Sequence, residues 1–223
     1  MPRPRTLVLP LALAGVLALA GCGGGGDSST QAPSTETSTG CTKVVEATPR
    51  ANAKEPKPTT ELDPAKTYVA TVSTNCGDFQ ITLDAKRAPK TGGSFVSLAK
   101  KGFYDGLSFH RIVAGFVIQG GDPAGDGTGG PGYSVREKPP SDLKYVKGVV
   151  AMAKTEIEPK GTSGSQFFVV TGEDAQLPPD YALLGRVTKG QDVVDRIGVS
   201  PTDQQTQRPL DPVVISKVTV DES

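Results

Sequence analysis

The stretch that most constrains this chain is Phe109-His110-Arg111-Ile112-Val113-Ala114-Gly115-Phe116-Val117-Ile118-Gln119-Gly120. Apolar residues recur there in near-alternation, the period-two signature of a strand. Arg111 and Gln119 are the only long polar side chains in it. A guanidinium and an amide set among apolar walls describe a site and not a solvated face. The competing reading for Arg111 is a structural ion pair.

The rest of the folded part supplies more strands. Thr67–Thr74 is rich in β-branched residues, Asn75-Cys76-Gly77-Asp78 has turn chemistry, and Phe79–Leu83 alternates again, so the three predict a hairpin. Pro89 suits the first turn of a helix that carries Phe95, Leu98 and Ala99 on one stripe and ends at Gly102, although Gly92 and Gly93 weaken it. Gly148–Ala153, Gln166–Val170 and Ala182–Val187 are further strands, Gln191–Ile197 a second short helix, and Pro212–Val220 a closing strand. Residues 133–147 are polar and predict loop. Strands that outnumber two distant helices predict a closed or nearly closed antiparallel barrel capped by helices. The content of 27 Gly and 19 Pro agrees with many turns.

Residues 1–21 belong to a different class of segment. Arg3 and Arg5 precede an apolar run from Leu7 to Ala20, too short for a permanent span, which needs roughly 20 residues. This pattern fits a signal peptide. It ends Leu19-Ala20-Gly21-Cys22, which resembles the bacterial lipobox, so Cys22 is the expected lipidated first residue of the mature chain. Residues 22–66 follow as a flexible tether. From Gly23 to Gly40, 14 of 18 residues are Gly, Ser, Thr or Pro, a composition that cannot offset its own ordering entropy. Residues 42–66 stay polar and irregular and can lie along the domain, which then occupies 67–221. Export to an oxidising compartment makes a Cys41–Cys76 disulfide the expectation, with two free thiols as the alternative.

Several functions are excluded or weakened by what the chain carries. Formal charge is zero, so no basic field argues for nucleic acid. One histidine, His110, leaves no material for a multi-histidine metal site. The run Asp122–Gly132 lacks the Lys-Ser/Thr that ends a phosphate-binding loop and predicts a glycine-rich surface loop.

Four ordered motifs now carry a resemblance. Phe103-Tyr104-Asp105-Gly106-Leu107-Ser108-Phe109-His110-Arg111, Gly115–Asp122, Gly127-Thr128-Gly129-Gly130 and Gly164-Ser165-Gln166-Phe167-Phe168 are similar to those of the cyclophilin peptidyl-prolyl cis–trans isomerases. The likeness runs from about Thr67 to Val220. It implies an eight-stranded antiparallel β-barrel capped by two α-helices. It implies Arg111 as the catalytic arginine, with Gln119 holding it and bonding substrate backbone. Phe116, Val117, Phe168 and Leu177 would line a proline pocket, and His110, Ala153, Lys154, Thr155 and Gln166 would border the peptide groove. Gln176 stands where better-known members carry a rim tryptophan, Tyr181 where they carry a histidine, and Lys154 where asparagine is common. Cyclosporin binding is therefore expected to be weakened.

Rotation about an X-Pro amide must overcome about 18–20 kcal/mol of lost resonance. No bond is made or cut, so no nucleophile, metal or cofactor is required. An apolar grip on the proline ring and a fixed donor are required, and Phe116, Phe168 and Arg111 suit those tasks. The expected protein is a monomeric, lipid-anchored isomerase acting on proline-containing segments of unfolded exported proteins outside the cytoplasmic membrane. The alternative is a chaperone or surface module that holds proline peptides with little turnover.

Overall fold

Alternation sorts the central strands into two faces, and that sorting builds the molecule. A computed structural model describes residues 40–51 and 54–223. The expected signal peptide, the expected lipidation at Cys22 and the expected tether up to residue 39 lie outside the described residues. No helix among those described is long and apolar enough to cross a membrane.

The strands are β1 (Tyr68–Thr74), β2 (Gly77–Leu83), β3 (Arg111–Val113), β4 (Val117–Gly120), β5 (Val135–Arg136), β6 (Val149–Met152), β7 (Thr162–Ser163), β8 (Phe167–Val170), β9 (Leu183–Lys189) and β10 (Ile215–Glu222). Eight of them form one sheet in the order β10-β1-β2-β9-β6-β8-β4-β3, and β5 pairs with β7 in a separate ribbon. Every pairing is antiparallel. The two edges of the curled sheet meet at a single bridge, Ser108 to Val214. There Phe109 N–H donates to Val213 O at 2.9 Å and Ile215 N–H to Leu107 O at 2.7 Å. The expected eight-stranded antiparallel barrel with two helices is present.

Inward residues of the central strands (Ile112, Ile118, Val150, Met152, Phe167, Val169) join Phe79, Ile81, Phe109 and Ile215 in the interior core. Helices α1 (Pro89–Lys100) and α2 (Gln191–Gly198) add Phe95, Leu98, Val194 and Ile197 to it. Pro89 occupies the first turn of α1, and no side chain caps that helix. Gly92 and Gly93 cost it roughly 1 kcal/mol each. Burial of Phe95 and Leu98, at about 1.5–3 kcal/mol each, outweighs that. In α2, Asp192 in the first turn and Arg196 in the last complement the helix dipole.

Three expectations change. The alternating run around Arg111 is not one strand. It folds back at Ala114–Phe116, with Gly115 in the left-handed region at φ 70°, so Arg111 comes to lie opposite Gln119. The polar run 133–147 is not simply loop: it holds β5 and buries Leu143 and Tyr145. The described residues of the segment 42–66 do lie along the domain, and they are firmly attached rather than a free tether. Cys41 and Cys76 form the expected disulfide. Arg50 N–H donates to Pro123 O at 2.7 Å, Glu55 N–H to Pro131 O at 2.9 Å, and Leu62 is buried.

Candidate active site

Outward residues of the same strands form a second apolar cluster: Val117, Val149, Ala151, Phe168, Val170 and Leu183, with Ala88, Leu143 and Tyr145. Strand register lines up one row across this outer face. Arg111 pairs with Gln119, Gln119 with Phe168, Phe168 with Ala151, and Ala151 with Leu183. Two strand spacings, about 10 Å, therefore separate the backbone of Arg111 from that of Phe168. The period-two pattern places a cation, an amide and an aromatic ring side by side.

The polar half of the row is a directed hydrogen-bond chain. Arg111 Nε donates to Gln207 Oε1 at 2.6 Å, and Nη1 donates to Gln119 Oε1 at 3.3 Å. Gln119 Nε2 donates to Gln166 Oε1 at 3.0 Å. Gln166 Nε2 donates to the carbonyls of Gly127 and Gly129, each at 2.9 Å. A guanidinium only donates and a backbone carbonyl only accepts, so both ends of the chain dictate which way each glutamine amide points. Arg111 Nη2 makes no hydrogen bond to the described residues, which leaves the N–H groups of that nitrogen for a ligand.

The apolar half is walled by aromatics. Phe168 and Tyr181 meet edge to face at 5.5 Å and 89°. Tyr145 stands 6.0 Å from Tyr181 and 6.1 Å from Phe168. Phe116, Ala153, Leu177 and Tyr181, all half-buried, pack against this cluster. The Tyr145 hydroxyl is pushed up to about 12, first by burial. Lys154 Nζ lies 5.4 Å over the Tyr181 ring and donates to Thr155 O at 3.1 Å. Thr155 is held by Glu158, whose Oε2 accepts from its N–H and its hydroxyl. Gln119, Ala153, Lys154, Thr155 and Gln166 line one continuous groove with Gly127–Ser134.

The glycine-rich loop is a wall of that groove as well as a surface loop. The buried Asp122 carboxylate accepts from the N–H groups of Ala124, Asp126 and Gly127, which turns the carbonyls of Gly127 and Gly129 toward Gln166. His110 lies apart. It is buried and lines a small cavity with Arg208, Leu210 and Val213, and neither ring nitrogen bonds the protein. Burial is the main force lowering its pKa, partly opposed by Asp122.

Gln176, exposed and at φ 53°, neighbours Leu177 on the rim. Two site residues escape sequence reasoning. Tyr145 carries a faint signal, since Leu143 and Tyr145 alternate. Gln207 carries none: it sits in a polar run and reaches Arg111 only when the edges of the sheet meet.

Comparison with known proteins agrees with this geometry. The family described as "Cyclophilin type peptidyl-prolyl cis-trans isomerase/CLD" matches residues 69–220. Peptidyl-prolyl cis-trans isomerase B of Streptomyces anulatus is 40% identical over 175 residues, covering 70% of this chain and 98% of its own. Peptidyl-prolyl cis-trans isomerase A of Mycobacterium tuberculosis is 40% identical over 175 residues, covering 70% of this chain and 94% of its own. A cyclophilin type isomerase of Cryptosporidium parvum, solved in the presence of the dipeptide Ala-Pro, superposes with a TM-score of 0.64 at 31% identity, covering 69% of this chain and 98% of that one. The chain belongs to the cyclophilin-type peptidyl-prolyl cis–trans isomerases.

Proposed function

We propose that this isomerase binds the proline ring against Phe116, Val117, Phe168 and Leu177 and catalyses rotation with Arg111. The observation that carries the reading is the register row Arg111–Gln119–Phe168, which sets a fixed cation beside an aromatic wall. As the X-Pro amide twists, conjugation is lost and electron density localises on the prolyl nitrogen. Arg111 Nη2 supplies a hydrogen bond to that density, and Gln119 steadies the guanidinium and bonds substrate backbone. The groove at Ala153, Lys154, Thr155 and Gln166 takes the peptide preceding the proline. A donor already fixed in a water-poor site contributes about 2.7–4 kcal/mol. Arg111→Ala should therefore slow isomerisation of an Ala-Pro peptide by roughly 10²–10³. Near wild-type turnover in a protease-coupled assay would remove Arg111 from the mechanism. Tight peptide binding by the wild-type protein without turnover would favour a holding chaperone.

The clients we infer are unfolded exported proteins, met at the outer face of the cell membrane where lipid on Cys22 anchors the chain. The Leu19–Cys22 sequence supports this, and the Cys41–Cys76 disulfide suits an oxidising compartment. Mass spectrometry of the protein made by secreting cells should find an acylated N-terminus at Cys22. An unmodified chain retaining residues 1–21 would contradict it.

A further inference from the structure

We infer that Gln207 is the positioning residue that aims Arg111. This rests on the role given to Arg111 above. The contact at Nε is the shorter of the two that hold the guanidinium, 2.6 Å to Gln207 against 3.3 Å to Gln119. A planar group gripped at Nε and at Nη1 cannot turn about its stem without breaking a bond. Its third nitrogen then keeps one direction, and a donor fixed before the reaction needs no reorganisation during it.

The backbone shows that this grip is built in. Gln207 is one of two non-glycine residues among those described with positive φ, at 60°. Side chains disfavour that region, and a glycine would occupy it without strain. The surroundings hold it there. Gln207 N–H donates to Asp203 O at 2.8 Å, and Asp203 Oδ1 accepts from Gln205 N–H, Thr206 N–H and the Thr206 hydroxyl. Gln207 O accepts from Ile112 N–H at 2.9 Å. So one residue bonds both Arg111, through its side chain, and Ile112, through its backbone, along the open edge of β3. The next residue, Arg208, anchors the same turn to Glu46 and to the carbonyl of Gly125. A strained conformation maintained by surrounding bonds points to a use for the side chain that glycine would lack.

That strain provides a clean test. Gln207→Gly relieves the backbone, keeps its bonds to Asp203 and Ile112 and removes the side chain that reaches Arg111, so thermal stability should be kept or raised while catalysis falls. Exchange NMR on an Ala-Pro peptide separates binding from turnover. The expected result is a roughly tenfold slower exchange of the bound peptide with Kd changed by less than about twofold, since misaiming a catalytic group costs rate more than affinity. Gln207→Glu, which still offers Nε an acceptor, should recover most of the rate. On an Arg111→Ala background, Gln207→Gly should cost nothing further. An unchanged rate in Gln207→Gly, or an equal loss with Arg111 already removed, overturns the inference. If Arg111→Ala alone turns over normally, the role of Arg111 falls and that of Gln207 falls with it. If Arg111→Ala is impaired and Gln207→Gly is not, only the role of Gln207 falls.

Discussion

The Tyr145 hydroxyl holds both backbone groups of Tyr181, donating to its carbonyl at 2.6 Å and accepting from its N–H at 3.0 Å. A residue in a polar stretch thereby fixes the aromatic wall that stands edge-on to Phe168. Tyr145→Phe keeps the ring and orphans two backbone groups, at a cost of about 1–3 kcal/mol. Thermal unfolding should show a lower midpoint, and peptide affinity should weaken as Tyr181 loosens. An unshifted midpoint would mean that water replaces the hydroxyl at no cost.

Gly93 looks like a flaw in α1 when judged by helix propensity, and replacing it with alanine should then stabilise by about 1 kcal/mol. The packing argues the opposite. A Cβ at Gly93 would stand 2.2 Å from Thr60 O and 3.1 Å from Glu61 Cα, and one at Gly92 would stand 2.4 Å from Leu62 Cδ1. The two glycines make room for the segment that lies over the helix. Gly93→Ala should lower the urea midpoint, with an overpacking cost of about 1–3 kcal/mol exceeding the propensity gain. A raised midpoint would show that residues 60–62 are not held against α1.

The Cys41–Cys76 bridge closes a loop across 35 positions of sequence. In the chain-entropy view such a loop contributes about 3–4 kcal/mol. The double replacement Cys41→Ala/Cys76→Ala should lose stability of that order, while turnover by the folded protein stays within about twofold because neither cysteine touches the groove. An unaltered urea midpoint would show that the bridge does not support the fold.

His110 is the only histidine in the chain, so acid sensitivity between neutral pH and the carboxylate range belongs to it. Burial, followed by the charges of Arg208 and Arg111, lowers its pKa below 6.5, while Asp122 and Asp126 oppose the shift. The unfolded chain then binds the proton more readily than the folded one. Stability is fully present above about pH 6.5 and declines as pH falls below it. Comparing urea midpoints at pH 7.5 and 5.5 should show a decline that His110→Gln abolishes. An equal decline in the variant would assign the effect elsewhere.

The barrel was legible wherever alternation ran on unbroken. Gln166–Val170 already separates inward Phe167 from outward Phe168, and the hairpin at Asn75 announces itself by turn chemistry. The site was legible where one strand carries it, as with Arg111 and Gln119. What stayed hidden depends on closure in three dimensions. The fold-back at Gly115 is a single left-handed residue inside a continuous pattern. Gln207 meets Arg111 across 96 residues, where the edges of the sheet join. The docking of residues 54–66 depends on missing side chains at Gly92 and Gly93, which read locally as defects.

The central claim is a division of labour, in which the aromatic wall binds and Arg111 lowers the barrier. Exchange NMR on an Ala-Pro peptide with Arg111→Ala and Phe168→Ala tests it directly. Arg111→Ala should keep peptide Kd within a few-fold and lose roughly 10²–10³ in the exchange rate of the bound peptide. Phe168→Ala should chiefly weaken binding. The account is contradicted if Arg111→Ala abolishes binding while the peptide that still binds exchanges at the wild-type rate.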